Sequence, residues 1–215
     1  MPRRKSPQTL RQLTLQFICD NFELICYGIT WRSSSWRQFV KSGRYLLVRS
    51  PLQQLPVHVL CELAQVVVDE LGCAPHILHA IIQPQLTSLR LPPVVSTIPL
   101  ALKLIVERTH KLSTFELSSC RSVNPLVLAA VFPYLSHLQH LNVEGTNFDD
   151  FCLEQLGAWV PGLLTLNIAR TKVTDKGLDG VEDSLQVSYP NHFNLFKSII
   201  LYKYPLFTIL FFIFT

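Results

Sequence analysis

Residues 138–146 read Leu138-Gln139-His140-Leu141-Asn142-Val143-Glu144-Gly145-Thr146, and their spacing decides the fold. An apolar residue is followed by two variable ones, a second apolar, one variable and a third apolar. Three places further stands a small, weakly polar residue. The same phrase begins at Leu86, Leu112 and Leu163, so the steps are 26, 26 and 25 residues. The four copies are Leu86–Leu89–Leu91, Leu112–Phe115–Leu117, Leu138–Leu141–Val143 and Leu163–Leu166–Ile168, closed by Val94, Cys120, Thr146 and Thr171. Alternation of the second and third apolar residues predicts a strand with one buried face. Its other face should then carry Ser88 and Arg90, Thr114 and Glu116, His140, Asn142 and Glu144, and Thr165 and Asn167.

The remainder of each unit has helical spacing: Ile98 to Val106, Leu126 to Leu135, and Cys152 to Val160. Asn124 and Asp149 suit N-caps, and Pro125 suits a first helical position. One strand and one helix per unit cannot bury an apolar face alone, whereas stacked units can. The expected fold class is α/β, a leucine-rich-repeat solenoid of the ribonuclease-inhibitor type with an N-terminal helical cap. The pattern resembles the cysteine-containing repeats of F-box/leucine-rich-repeat proteins and of ribonuclease inhibitor. A fourth helix starts at Thr174-Asp175-Lys176-Gly177-Leu178, but Ser188 to His192 does not fit the fifth strand due near residue 188. The reading divides the chain into a helical region 1–80, about four repeats over 81–182 and an atypical apolar tail 183–215.

Composition supports a packed core: 48% of the residues are hydrophobic and 16% charged, which excludes global disorder. The net charge of +4 is modest and its excess is local. Arg32, Arg37, Lys41, Arg44 and Arg49 interleave with Trp31, Trp36, Phe39 and Tyr45. A solvated face with core aromatics explains that run better than a nucleic-acid site, and no nucleic acid is expected. Cys19, Cys26, Cys61, Cys73, Cys120 and Cys152 fall singly in apolar contexts, as buried reduced thiols of a cytoplasmic or nuclear protein would. Polar residues from Arg11 to Glu23 interrupt any signal-peptide core.

The region before the repeats predicts an amphipathic helix over Thr9 to Cys26, with Leu10, Leu13, Phe17, Phe22 and Ile25 on one stripe. A second helix is predicted from Pro56 to Leu71, with Val59, Leu60, Leu63, Val66 and Val67 as its apolar face. The phrase Thr9-Leu10-Arg11-Gln12-Leu13-Thr14-Leu15-Gln16-Phe17-Ile18 resembles the BC box by which substrate receptors bind elongin C. Thr9, Leu10 and Ile18 match it, and Thr14 stands where a cysteine is expected. A threonine hydroxyl buried unpaired there costs about 1–3 kcal/mol. Leu55-Pro56-Val57-His58-Val59 resembles a cullin-2 box. The order of these two phrases, followed by leucine-rich repeats, resembles the Zyg-11/Zer-1 family of cullin-2 ubiquitin-ligase substrate receptors.

That resemblance implies a non-catalytic, receptor-like subunit of a cullin-2 RING ligase, with elongin C and cullin-2 as partners and an unidentified protein as substrate. It implies adaptor contacts through Leu10, Leu13, Thr14, Phe17, Ile18, Leu55, Pro56 and Val59. Partner contacts are expected on the concave face through Arg90, Glu116, His140, Asn142, Glu144 and Asn167. Family members continue into armadillo-like repeats that hold the substrate's N-terminus, and that activity is not carried over to this chain. Two other readings stay open: an interaction scaffold with no ligase link, and an F-box-type receptor in which Leu55-Pro56 and Leu60 to Leu63 open the box.

No catalytic residue, metal ligand set or cofactor is expected. Cys73, His76 and His79 share a helical spacing, but a structural zinc site wants four ligands. No phosphate loop or nucleophile motif is present. The tail from Phe193 to Thr215 is rich in Phe, Ile, Leu and Tyr, and from Leu206 to Phe214 only Thr208 interrupts it. That run is short of the roughly 20 residues that span a bilayer. A replaced C-terminus is the expectation here, and a membrane anchor from Ser198 is its rival.

Overall fold

The computed structural model describes residues 9–29, 32–33, 35–93, 97–121 and 123–178. Val94, Trp31, the fifth-strand position and the apolar tail lie outside the described residues.

Thr9 opens the first helix, α1 (Leu10–Asp20), through a capping box: its hydroxyl accepts the Gln12 N–H, and the Gln12 side chain accepts the Thr9 N–H at 2.9 Å. The single helix expected over Thr9 to Cys26 is in fact two. Asn21 stops α1, its side chain donating to the Phe17 carbonyl at 2.9 Å, and α2 (Phe22–Tyr27) starts afresh. A short amide that bonds the helix carbonyls competes with continuation of the helix. Leu15, Ile18, Cys19, Phe22 and Cys26 turn toward the core, while Leu10, Leu13 and Phe17 face outward. The expected stripe from Leu10 to Ile25 is thereby corrected, since Phe22 lies on the opposite side from Leu10.

After α3 (Trp36–Lys41) come two 3₁₀ turns, Arg44–Leu47 and Pro51–Gln54, and then α4 (Val57–Leu71). Pro56 sits at the N-cap of α4. Leu60, Leu63, Ala64, Val67 and Val68 are buried on it, at the i, i+3, i+4, i+7, i+8 spacing of a core-facing helix. Gly72, at φ 80°, ends it. A further helix, α5 (Pro75–Ile81), carries His76 and His79 and packs against α4.

The four strands are where the repeat places them: β1 (Ser88–Arg90), β2 (Thr114–Glu116), β3 (His140–Asn142) and β4 (Thr165–Asn167). They form one parallel sheet in chain order. Leu89, Phe115, Leu141 and Leu166 align across it and are buried. Between the strands run α6 (Ile98–Arg108), α7 (Pro125–Ala129) and α8 (Asp150–Trp159). Asn124 and Asp149 cap α7 and α8, accepting from the Leu126 and Cys152 N–H groups at 2.9 and 3.0 Å. The helix expected from Leu126 to Leu135 breaks after Ala129 and resumes as a 3₁₀ turn at Phe132–Tyr134. Pro133 lacks the N–H that would continue the α-helical ladder.

The closing residues of the second, third and fourth phrases bond loop backbone. Thr146 and Thr171 donate to the Val143 and Ile168 carbonyls at 2.7 Å each, and the Cys120 thiol reaches the Pro92 and Ser118 carbonyls at 3.7 Å. The residue just before it is left-handed in three successive units: Ser119 (φ 63°), Gly145 (φ 67°) and Arg170 (φ 56°). The same bend recurs although its three residue types differ. The chain is thus a mixed α/β fold whose apolar core runs continuously from Cys19 to Val173. Among the described residues no helix is long and apolar enough to cross a membrane.

Candidate functional site

Two surfaces collect the residues that the sequence singled out. The first is the outward side of α1. Leu10, Leu13 and Phe17 are 81%, 50% and 62% exposed, although the opposite side of the same helix packs on α4 and the core. Large apolar side chains on one exposed helix face are the usual anchors of a helix-in-groove contact. Thr14 stands among them, also exposed, and its hydroxyl donates to the Leu10 carbonyl at 2.8 Å. The polar group is therefore already bonded within the helix, and its methyl is what a partner would meet. Arg11 pairs with Glu62 and ties α1 to α4.

The structure does not bring all of the predicted adaptor residues onto this face. Ile18 is half-buried against the core on the far side of α1. Leu55 is half-buried too and packs on the core, Val59 is half-buried, and Pro56 is exposed where the chain enters α4. The Pro51–Gln54 turn just before them packs against α2.

The second surface is the polar face of the sheet. Ser88, Thr114, His140 and Thr165 form one row across the strands, and Arg90, Glu116, Asn142 and Asn167 form the next. Within these rows Arg90 faces Glu116 at 3.8 Å, and His140 Nδ1 lies 2.8 Å from the Thr165 hydroxyl. Asn167 donates to Glu144 at 3.3 Å, and Arg170 lies 3.9 Å from the same carboxylate. Asn142 and Asn167 perform one task in two units, accepting the Glu144 and Ala169 N–H groups at 3.0 Å each. Between the rows is a depression of about 230 Å³ lined by Thr114, Glu116, His140, Asn142, Thr165 and Asn167. Both arginines on this face are matched by glutamates, so it offers hydrogen-bonding groups of both kinds and not a cationic track.

Other candidates turn out to be core. Tyr45 is buried, and Trp36 and Phe39 pack on the core, while Arg37, Lys41, Arg44 and Arg49 are exposed. His76 meets Tyr27, Trp36 and Tyr45 edge-on, at ring separations of 6.3, 5.0 and 6.4 Å. Burial lowers its pKa and that of His79, which falls to about 4 with help from the Arg108 charge. Cys73 is buried as well, and burial pushes its thiol up to about 11. Among the described residues no three metal-ligating side chains converge.

With the fold and these surfaces described, the chain can be compared with known proteins. No protein-family model matches the sequence, and no curated protein matches it. The fold is similar to a solved one. It resembles a chain in the crystal structure of the Rad7 and Elc1 complex in yeast, with a TM-score of 0.50 and 17% sequence identity. The match covers 84% of this chain and 44% of that one, so this chain spans less than half of its neighbour's length. At that identity the likeness concerns the fold alone.

Sequence reasoning missed three features of these surfaces. Which side of α1 is left exposed depends on which side α4 occupies. The left-handed residue in each turn has no fixed residue type to betray it. Asp150 lies in α8 but bonds Thr174, one repeat further on, at 2.7 and 2.6 Å.

Proposed function

We propose that the chain is a non-catalytic, receptor-like protein-binding subunit: a leucine-rich-repeat solenoid of the ribonuclease-inhibitor type, similar to the Zyg-11/Zer-1 receptors. In this reading α1 docks an elongin C adaptor, and the polar sheet face holds a protein partner through Arg90, Glu116, His140, Asn142, Glu144 and Asn167. Cullin-2 is engaged near Pro56 and Val59. The reading divides the chain at residues 80 and 182 and places its work in the cytoplasm or nucleus.

The observation that carries it is the outward stripe of Leu10, Leu13 and Phe17 on a helix already anchored by its other side. A folded chain rarely leaves three large apolar residues on one exposed face without a partner for them. The fold neighbour, itself a member of the Rad7 and Elc1 complex, supports a receptor-like role. The test is capture of purified elongin B/C by the full chain. Leu10→Ala should abolish capture and Thr14→Cys should strengthen it. A chain that captures no elongin C defeats the ligase reading.

A scaffold with no ligase link is the second reading. Thr14 favours it, because this residue presents a methyl where the BC box has a thiol.

A further inference from the structure

Where the N-terminal helices meet the first strand–helix units, a hollow of about 230 Å³ opens between the Arg44–Leu47 turn, the stretch after it and the ends of α5 and α6. Arg49 and Arg108 line it, and no carboxylate does. Among the described residues neither arginine has a carboxylate partner. Arg108 is fixed in place: its Nη1 donates to the His79 carbonyl at 3.1 Å. A guanidinium has five N–H donors, so that bond leaves most of its capacity unused.

The floor of the hollow removes the usual source of compensation. Carbonyls at the C-terminal end of a helix are partly negative. Here they are covered, since Ser50 and Gln83 donate to the Ala80 carbonyl at 2.9 and 2.8 Å, and Gln83 also reaches that of His79 at 3.2 Å. His79 is neutral near pH 7 and supplies no negative charge. Its Nδ1 is buried without a hydrogen-bond partner among the described residues. What is left is a concave, positively charged site with an apolar lip, because Leu46 and Leu47 on its rim are 51% and 85% exposed.

We propose that this hollow binds a peptide carboxylate, with Arg49 and Arg108 holding the anion and Leu46 and Leu47 receiving an adjacent apolar side chain of the same peptide. Guanidinium groups match the planar carboxylate and bind it by charge-assisted hydrogen bonds. The exposed leucines favour a peptide over a free inorganic anion, which has no apolar part to place there. No residue of α1 lines the hollow, so the assignment does not depend on the adaptor reading.

The probe is a dye-labelled peptide, Ala-Ala-Ala-Leu-Leu-Glu with a free C-terminus, titrated against the full chain by fluorescence polarisation. Binding should weaken about tenfold in Arg49→Gln and again in Arg108→Gln, as loss of a charge-assisted bond implies. Arg49 is exposed, so its variant tests the site even if Arg108→Gln disturbs α5. Leu47→Ser should weaken binding with no effect on its salt dependence. An amidated peptide and a peptide ending in Gln separate the two sources, terminal or side-chain carboxylate, according to which change abolishes binding. The proposal is overturned if the peptide does not bind, if both arginine variants bind it as the parent does, or if inorganic phosphate displaces it at equal concentration.

Discussion

The Asp150 carboxylate holds Thr174 twice, accepting its backbone N–H at 2.7 Å and its hydroxyl at 2.6 Å. This bond joins the start of α8 to the start of the helical turn at 175–178, so the last strand–helix unit is tied to the turn that follows it. Gly177 completes the arrangement, because a Cβ there would land on the Asp150 carboxylate. Gly177→Ala should therefore displace the carboxylate and lower the thermal midpoint. Asp150→Ala should cost about 1–2 kcal/mol, and the double variant should cost no more than the larger single. Additive losses in a thermal-melt cycle contradict this coupling.

The outward face of α1 should contribute nothing to stability. Leu10→Ala and Phe17→Ser remove exposed side chains and should change unfolding free energy by less than about 0.5 kcal/mol. Phe22→Ala, on a side chain with no exposed surface, should cost about 3–5 kcal/mol. Denaturant titrations of the three variants check this, and they ensure that lost adaptor capture by Leu10→Ala is not lost folding.

Ser119 occupies the left-handed position that Gly145 fills in the next unit. A Cβ is disfavoured there by about 1–2 kcal/mol, part of which is returned as extra freedom of glycine in the unfolded chain. Ser119→Gly should raise stability by about 0.5–1 kcal/mol, and Gly145→Val should lower it. A destabilised Ser119→Gly chain would count against the recurring bend as a source of strain.

The acid limb of stability should be set by buried imidazoles. Burial, assisted by the Arg108 charge, brings His79 from 6.5 down to about 4. Below pH 6.5 the unfolded chain takes up a proton on this residue and the folded chain does not. The stabilisation is therefore complete above pH 6.5 and is lost as pH falls toward 4. Each pH unit in that window costs at most about 1.4 kcal/mol. His76 is shifted downward by burial as well and steepens the loss. His79→Gln should flatten the curve of unfolding free energy between those limits.

Alkylation should separate the cysteines. Burial pushes the Cys26 and Cys152 thiols up to about 12 and the Cys73 and Cys120 thiols to about 11, and it raises Cys19 too. The thiolate is the reactive form, and these side chains are also shielded from reagent. Cys61, which is only half-buried, should react first with iodoacetamide in the native chain. Peptide mapping that finds Cys26 or Cys152 modified before Cys61 would contradict the packing described.

The strand register was legible because it depends on a local rule. Leu138, Leu141 and Val143 alternate with polar residues, and a strand turns alternate side chains to opposite faces whatever surrounds it. The caps at Asn124 and Asp149 and the start of α4 after Pro56 were legible for the same reason, since each is a bond or a restriction within one turn of chain. The BC-box-like phrase was legible too, but only as a list of residues and not as a surface.

Which of those residues share a face was decided by contacts distant in sequence. Asn21 divides the predicted helix, and α4 takes the side of α1 opposite Leu10, Leu13 and Phe17, which are left to solvent. The hollow beside Arg108 likewise exists only because residues 46–53 are laid against the ends of α5 and α6. Sequence by itself determined the repeat, its register and the polar residues of the sheet face, because periodic burial is written into neighbouring positions. Only the tertiary structure decided the exposed side of α1, the Asp150–Thr174 bond and the pairing of Arg49 with Arg108 around one cavity. Such placements depend on how separate elements pack, and no spacing within one element encodes that.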